Sequence, residues 1–585
     1  MSDPGQAPPV PSTALGRFLP ILGWLPQYDR RWVRGDIAAG IAVTALIVPK
    51  DLGYAGIAGV PLENGLYAAA AGAIIYALFC TSRQISTGPS SSLAAVAGGA
   101  VLVSDLSGGS AAELVSAITL VTGALFLLLA LFRMGWIAQF LSKAVVTGFL
   151  AGAAVDVVIG ELPKLTGTSS EGDSAWRELA SWIEGLGDIH WTTLLVGVVA
   201  LTVIVGLRFA RPAVPGALVL VVGGLLAAWL FDLGAHGVAL VGAVPRGLPA
   251  PDLPSLDVIR ENYTVIGTAS FALLLIGFSQ TAGDARAFAT RHKYRIDVNQ
   301  ESVAQGMANV GAGVFQGIPV STSLSASSLN ESAGARTPVA SLVTGALVLA
   351  TLIILAPAFA DLPKAVLAAI IIDAVVFGMI DVPELRRLYR VTRFDFWIAV
   401  AAIVGVLSFG VLAGVLIGVV LSLGWLIYVA TRPAMPLLGR QRETYVFREL
   451  DEEEDDETFP GIAVVRLDAG LFFATAEALE DRVRNLVDTA TPPLRALVLD
   501  LEGVNFIDSQ GAAKLIEIHE LAESQGVVLR LARVKPSVLG VLRADGFIER
   551  LGAEHIHGNI PGAVQAQLDD APPSGRSGEG EIAGA

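Results

Sequence analysis

Ser86-Thr87-Gly88-Pro89-Ser90-Ser91-Ser92, leading into Leu93–Leu102, has a counterpart about 230 residues later. That counterpart is Gly317-Ile318-Pro319-Val320-Ser321-Thr322-Ser323, leading into Leu324–Leu329. Each is a Gly/Pro break, then hydroxyl residues, then a span too short to cross hydrocarbon alone. Paired, interrupted short segments at matching places in two halves of a chain point to a binding site near a bilayer midplane. A helix start exposes unpaired N–H groups and about half a positive charge. Two such starts facing each other offer about one unit of positive potential, with amide and Ser donors, and so favour an anion. These serines can also simply cap their helices, a role compatible with binding.

Composition supports a membrane setting for that pair. Hydrophobic residues make up 53% of the 585 and charged ones only 16%, far from a soluble composition. Leu120–Leu131, Thr192–Leu207, Ala217–Leu230 and Leu342–Leu355 lie at the centres of long uncharged windows. Backbone amides in lipid must be satisfied internally, so such windows read as helices. The pattern predicts about 14 spans, seven in each half. An odd number per half requires the halves to have inverted topology.

Positive charge tests the count. With the N-terminus inside, the cytoplasmic connections receive most of the Arg and Lys, among them Arg83, Arg133, Lys143, Arg208, Arg291 and Arg386. The outside ones keep Lys164, Arg177, Arg246, Arg260 and Lys364. The alternation predicts a multi-pass inner-membrane protein with both termini in the cytoplasm. Cys80 is the only cysteine, so no intrachain disulfide forms. The first dozen residues lack the basic start and apolar stretch of a cleavable signal. The net charge of −15 comes largely from the tail, including Asp451–Glu457.

After Arg432 the pattern changes. Ile462–Leu467, Ala496–Leu501 and Val527–Ala532 read as strands, with helical spacing in Glu477–Val487 and Ala512–Glu523. Strands alternating with helices predict a small α/β domain. The expected layout is a disordered N-terminus 1–14, a membrane domain 15–432 with repeats at about 36–233 and 264–431, and an acidic linker 433–459. The α/β domain follows at 460–568, then a disordered Gly/Ser/Pro-rich tail 569–585.

Val48-Pro49-Lys50-Asp51-Leu52-Gly53-Tyr54-Ala55, Gly65-Leu66-Tyr67-Ala68 and Thr81 to Pro89 closely resemble the sulfate permease (SulP) family of anion transporters. Asn299-Gln300-Glu301, Gly317-Ile318-Pro319 and Asn330 to Thr337 agree in the second half. The resemblance runs from about Leu15 to about Val564. It implies seven-plus-seven inverted repeats split into core and gate domains, with the substrate between the first, third, eighth and tenth helices. On that frame the anion-binding candidates are Lys50, Tyr54, Ser90, Ser91, Ser92, Ser323, Ser325 and Ala326. The resemblance also implies a homodimer, and a C-terminal STAS domain with its signature at Asp508-Ser509-Gln510-Gly511, where a regulatory protein would act. In free-standing relatives of that domain the serine is phosphorylated; Ser509 is either such a target or a structural helix start.

The site departs from the family in two places. Lys50 stands where relatives carry a neutral or acidic residue, and Ser325-Ala326-Ser327 stands where many have Ser-Arg-Ser. A mid-membrane lysine is presumed functional. Either Lys50 replaces the missing arginine, or it pairs with Asp51 or Asp284 and is electrostatically silent. Gln280 occupies a position often carboxylate in cation-coupled relatives, and Asp284 lies one turn on, on the same helix face. Gln280 and Asp284 are therefore the coupling candidates, with H+ or Na+ as the coupling ion and no other cofactor; a solvated structural role is the alternative for Asp284. Asp156 is a further intramembrane acid, with helix packing its only evident use.

The expected function is secondary transport of a small inorganic anion by alternating access, sulfate first and bicarbonate second, coupled or by exchange. A nucleobase symporter would need carboxylates that Gln280 and the 321–328 run lack. A membrane sensor with STAS output would need only an anchor, not an interrupted pair, and channel-like conduction is indistinguishable by sequence. No metal-ligand cluster, nucleotide loop or nucleophile–base pair stands out, so neither an enzyme nor a nucleic-acid binder is expected.

Overall fold

The computed structural model describes residues 18–570 apart from 134–141, 171, 173, 212–213, 243–246, 249 and 451–455. The expected disordered segment 1–14, Arg246, most of the acidic run and the tail beyond 570 lie outside the described residues. The chain divides into two compact units, Met1–Ser422 and Leu423–Ala585.

The first unit is helical. Its principal helices are α1 (Val33–Ile57), α2 (Glu63–Phe79), α3 (Ser91–Ser104), α4 (Gly108–Leu131), α5 (Lys143–Thr166), α6 (Trp191–Ala210) and α7 (Gly216–Phe231). They continue with α8 (Tyr263–His292), α9 (Val298–Val314), α10 (Leu324–Ser332), α11 (Val339–Ile354), α12 (Lys364–Met379), α13 (Arg393–Phe409) and α14 (Val411–Ala430). Seven helical stretches among the described residues are long and apolar enough to cross a membrane: Arg30–Ile57, Gly108–Leu131, Lys143–Thr166, Trp191–Ala210, Tyr263–His292, Lys364–Val391 and Val411–Ala430. Ser91–Ser104, Gly216–Phe231 and Val339–Ile354 are apolar but shorter.

Local chemistry explains the helix ends that matter. Ser142 caps α5 by accepting from Val145 N, and Gly167, at φ 72°, stops it in the left-handed conformation that glycine adopts without penalty. Pro49 sits inside α1, where it has no N–H to give the Ala45 carbonyl one turn back. Small residues let helices approach here: a methyl at Gly65 would run into the Asp51 carbonyl oxygen, and one at Gly98 into that of Ile57. Those contacts bring α2 and α3 against α1.

The two breaks quoted above are joined. Thr87–Pro89 (β1) and Val320–Thr322 (β2) pair antiparallel, with Gly88 opposite Ser321. Short apolar-flanked Gly/Pro segments gave no strand signal of their own; each finds its partner only across the fold. On α9, Gln305 Nε2 and Asn309 Nδ2 both donate to the Val320 carbonyl, at 2.5 and 3.0 Å, and Asn309 Oδ1 accepts from Val320 N at 3.0 Å. The amides thus satisfy strand groups that would otherwise be orphaned in a buried setting.

The second unit holds a parallel four-stranded sheet in the order β5 (Ile462–Arg466), β6 (Ala496–Asp500), β7 (Val528–Ala532), β8 (Ile556–His557). Helices α15 (Ala476–Thr489), α16 (Ser509–Ser524), α17 (Pro536–Ala544), α18 (Phe547–Leu551) and α19 (Ile560–Asp570) accompany it. Val465, Leu499, Leu531, Leu515 and Phe547 belong to its main core. One feature departs from the sequence reading: within 433–459, expected as a linker, β3 (Leu438–Arg440) and β4 (Phe447–Glu449) form an antiparallel hairpin. Arg448 grips Asp456 and Arg440 grips Glu457, so carboxylates that read as a solvated run serve as ion-pair partners.

Candidate functional site

Helices α3 and α10 begin next to each other because β1 and β2 precede them directly. Ser90 caps α3 by accepting from Leu93 N, and Ser323 caps α10 by accepting from Ala326 N, both at 3.4 Å. Further bonds lock the pair: Ser323 N to the Ser86 carbonyl at 3.0 Å, and Ser86 N to Ser327 Oγ at 2.9 Å. Capping and convergence coexist, as the chemistry allows.

A cavity of about 540 Å³ opens at these two helix starts. Lys50, Tyr54, Ser90, Ser91, Ser92, Ser323, Ser325, Ala326, Gln280 and Asp284 all line it. Every membrane-domain candidate therefore meets in one place, contributed by α1, α3, α8 and α10 and the turns before them. Ser509 is elsewhere, exposed at the first position of α16 in the second unit, where Asp508 caps the helix by accepting from Gly511 N at 2.7 Å.

Among the described residues, the Lys50 ammonium makes no hydrogen bond and no ion pair. Pairing with Asp51 or Asp284, the electrostatically silent option, is not what the structure contains. Asp284 instead accepts from Thr322 Oγ1 at 2.8 Å, and Gln280 Nε2 donates to Ser92 Oγ at 3.0 Å. Gln280 Oε1 and Asp51 Oδ2 are buried without hydrogen-bond partners among the described residues. The cavity thus combines two helix starts, one unpaired ammonium and several hydroxyl donors, an arrangement suited to a small anion.

Several residues around the cavity were not singled out by sequence. Arg208, read only as a loop cation, lines it together with Phe377. Its guanidinium grips Asp373 on α12 at two points, 2.8 Å (Nε to Oδ1) and 2.5 Å (Nη2 to Oδ2). Arg208 lies in the last turn of α6, close enough to the polar loop that its position alone suggested solvent. Glu301 is fully buried and accepts from Thr81 N, Thr81 Oγ1, Ser82 N, Ser82 Oγ and Tyr76 Oη, tying α9 to the loop that feeds β1. Asp36, also fully buried, accepts from Arg336 N, Thr337 N, Thr337 Oγ1 and Tyr28 Oη, anchoring α1 to the loop after α10. The family-like Asn-Gln-Glu and Asn330 to Thr337 runs were the available signal for both.

Known proteins share the family and the fold of this chain. Residues 33–402 match the sulfate permease family and residues 455–563 match the STAS domain. A protein named probable sulfate transporter from Mycobacterium tuberculosis (strain ATCC 25618 / H37Rv) is 33% identical over 553 residues, covering 93% of this chain and 98% of that one. The murine Solute Carrier 26 family member A9 anion transporter, solved in the inward-facing state, superposes with a TM-score of 0.86 at 22% identity, over 95% of this chain and 96% of that one. The transmembrane domain of the cyanobacterium bicarbonate transporter BicA gives a TM-score of 0.57 at 21% identity, over 68% and 99% respectively.

Proposed function

This chain belongs to the sulfate permease family, whose members are multi-pass membrane transporters rather than enzymes, and from that premise we propose that it moves sulfate across the inner membrane as a secondary transporter. The observation that carries the reading is that Lys50, unpaired among the described residues, lines the same cavity as the Ser90 and Ser323 helix starts. A divalent oxyanion there would meet one full charge, about one unit of helix potential and hydroxyl donors in a setting of low dielectric. Tyr54, Ser91, Ser92 and Ser325 complete the ring of donors.

In this reading α1, α3, α8 and α10 belong to a core domain that moves against a gate domain, in seven-plus-seven inverted repeats of about 14 spans with both termini in the cytoplasm. Asp284 serves as the coupling carboxylate for H+ or Na+, held by Thr322 and one turn from Gln280. The functional unit is a homodimer, and Ser509 offers a modification target to a regulatory protein, since it is exposed at the first position of a capped helix.

Bicarbonate is the second reading, favoured by the likeness to a bicarbonate transporter's membrane domain. Labelled sulfate uptake into proteoliposomes, competed with bicarbonate under imposed proton or Na+ gradients, separates the two. Saturable sulfate uptake resistant to bicarbonate supports the first; bicarbonate uptake without sulfate uptake replaces it.

A further inference from the structure

A second, smaller cavity of about 210 Å³ lies at the C-terminal end of α1, just beyond the residues that border the Ser90–Ser323 site. Its lining includes Gly56, Glu161, Lys164, Lys364 and Ile371. Along α1, Tyr54 borders the first cavity and Gly56 the second, about 3 Å apart in helix rise. Buried Ile371 lies alongside this stretch of α1. A methyl at Gly53 would come within 3.0 Å of Ile371 Cγ1, and one at Gly56 within 3.6 Å of its Cδ1. Two cavities therefore border the same stretch of α1, and Ile371, which lines the second, packs on the glycines of that stretch.

The second cavity is not charge-neutral. Lys164 Nζ bonds Glu161 Oε1 at 2.5 Å, while Glu161 Oε2 is buried with no hydrogen-bond partner, on a side chain only 5% exposed. Lys364, the first residue of α12, has no ion-pair partner among the described residues, and its helix start adds positive potential. Two ammoniums against one carboxylate leave the lining itself net positive, while Glu178, outside the lining, also lies within reach of the Lys164 charge. Lys164 and Lys364 are also two of the five basic residues that the charge alternation assigns to the outside.

We propose that this cavity is a separate binding site for a small inorganic oxyanion, at the outer mouth of the transport path. Lys164 and Lys364 hold the anion, Glu161 is the internal carboxylate that the anion displaces from Lys164, and Ile371 is the plug between outer and inner sites. The proposal rests on the transport reading of the first cavity. Net positive charge at a mouth raises the local anion concentration and the rate of capture from that side alone.

The test is sided sulfate transport by the full chain, with bicarbonate measured in parallel: uptake by whole cells and efflux from preloaded cells. Lys164→Gln with Lys364→Gln is expected to raise the external KM roughly fivefold and to leave the efflux KM unchanged. Glu161→Gln, which frees Lys164, is expected to lower the external KM, and Lys164→Arg with Lys364→Arg to keep it. An unchanged external KM in the double Gln variant overturns the outer site. So does an equal rise from both sides, which marks a structural defect. If the wild type carries neither anion from either side, the transport reading falls, and the outer site with it.

Discussion

Arg208 and Asp373 meet in a two-point ion pair between α6 and α12, with the Phe377 ring 4.5 Å from the guanidinium carbon. Arg208 lines the cavity at the starts of α3 and α10, whereas Asp373 is buried and does not line it. Removing one partner leaves an uncompensated charge, and removing both does not. Because the arginine side chain is 37% exposed, solvent screening discounts the effect. Arg208→Gln is expected to lower stability by about 2 kcal/mol, and Arg208→Gln with Asp373→Asn to recover most of it. Thermal unfolding in detergent checks this; a double variant no better than the single one contradicts it.

Glu301 carries five donors onto one buried carboxylate; four, from Thr81 and Ser82, sit in the loop that aims β1 and hence the start of α3, and the fifth is Tyr76 on α2. An amide in its place turns one acceptor into a donor facing N–H and O–H groups. Glu301→Gln is expected to cost about 2 kcal/mol or more and to depress transport. A melting temperature equal to wild type would show that the clasp is not needed.

Among the described residues Asp284 has one hydrogen-bond donor, Thr322. As the coupling carboxylate it should control ion dependence rather than anion affinity. Asp284→Asn is expected to remove stimulation of uptake by H+ or Na+ while leaving the anion KM near wild type. Uptake that keeps its full ion dependence in the variant rules that role out.

In the STAS domain the buried Arg530 side chain ties β7 to α19 through Gln567 and Asp570, and its Nη1 lies 3.2 Å from His557 Nε2. Burial, then the Arg530 and His555 charges, hold His557 below its ordinary value of 6.5; burial and Arg530 likewise lower His555. Asp570 and Glu554 act in the opposite sense. A lowered folded value means the unfolded chain binds the proton first. Stability is therefore fully present above about pH 6.5 and is lost as pH falls below it. After division by the intrinsic exchange rate at each pH, hydrogen exchange of Ile560–Asp570 is expected to quicken as pH falls from about 6.5 to about 5.5, and less so in His557→Gln. Equal quickening in wild type and variant would assign the effect elsewhere.

Much of the site could be read from the chain because its parts are local. Helix caps such as Ser90 and Ser323 announce themselves by type and by the Gly/Pro break before them, and Lys50 by its cost in lipid. The β1–β2 pair, the Asn309 and Glu301 clamps and the Arg208–Asp373 contact could not be read so directly. Each joins residues far apart in sequence, and their residue types alone also fit loops. The hairpin at Leu438–Glu449 was missed because the acidic run beside it dominated the composition of a short segment.

The most direct measurement is sulfate affinity in wild type and Lys50→Gln, by labelled uptake into proteoliposomes with binding measured on the same purified protein. The account predicts saturable uptake by the wild type and, in the variant, an affinity about tenfold weaker or worse, with the protein still folded. An unchanged affinity in folded Lys50→Gln would contradict an anion site built on that ammonium.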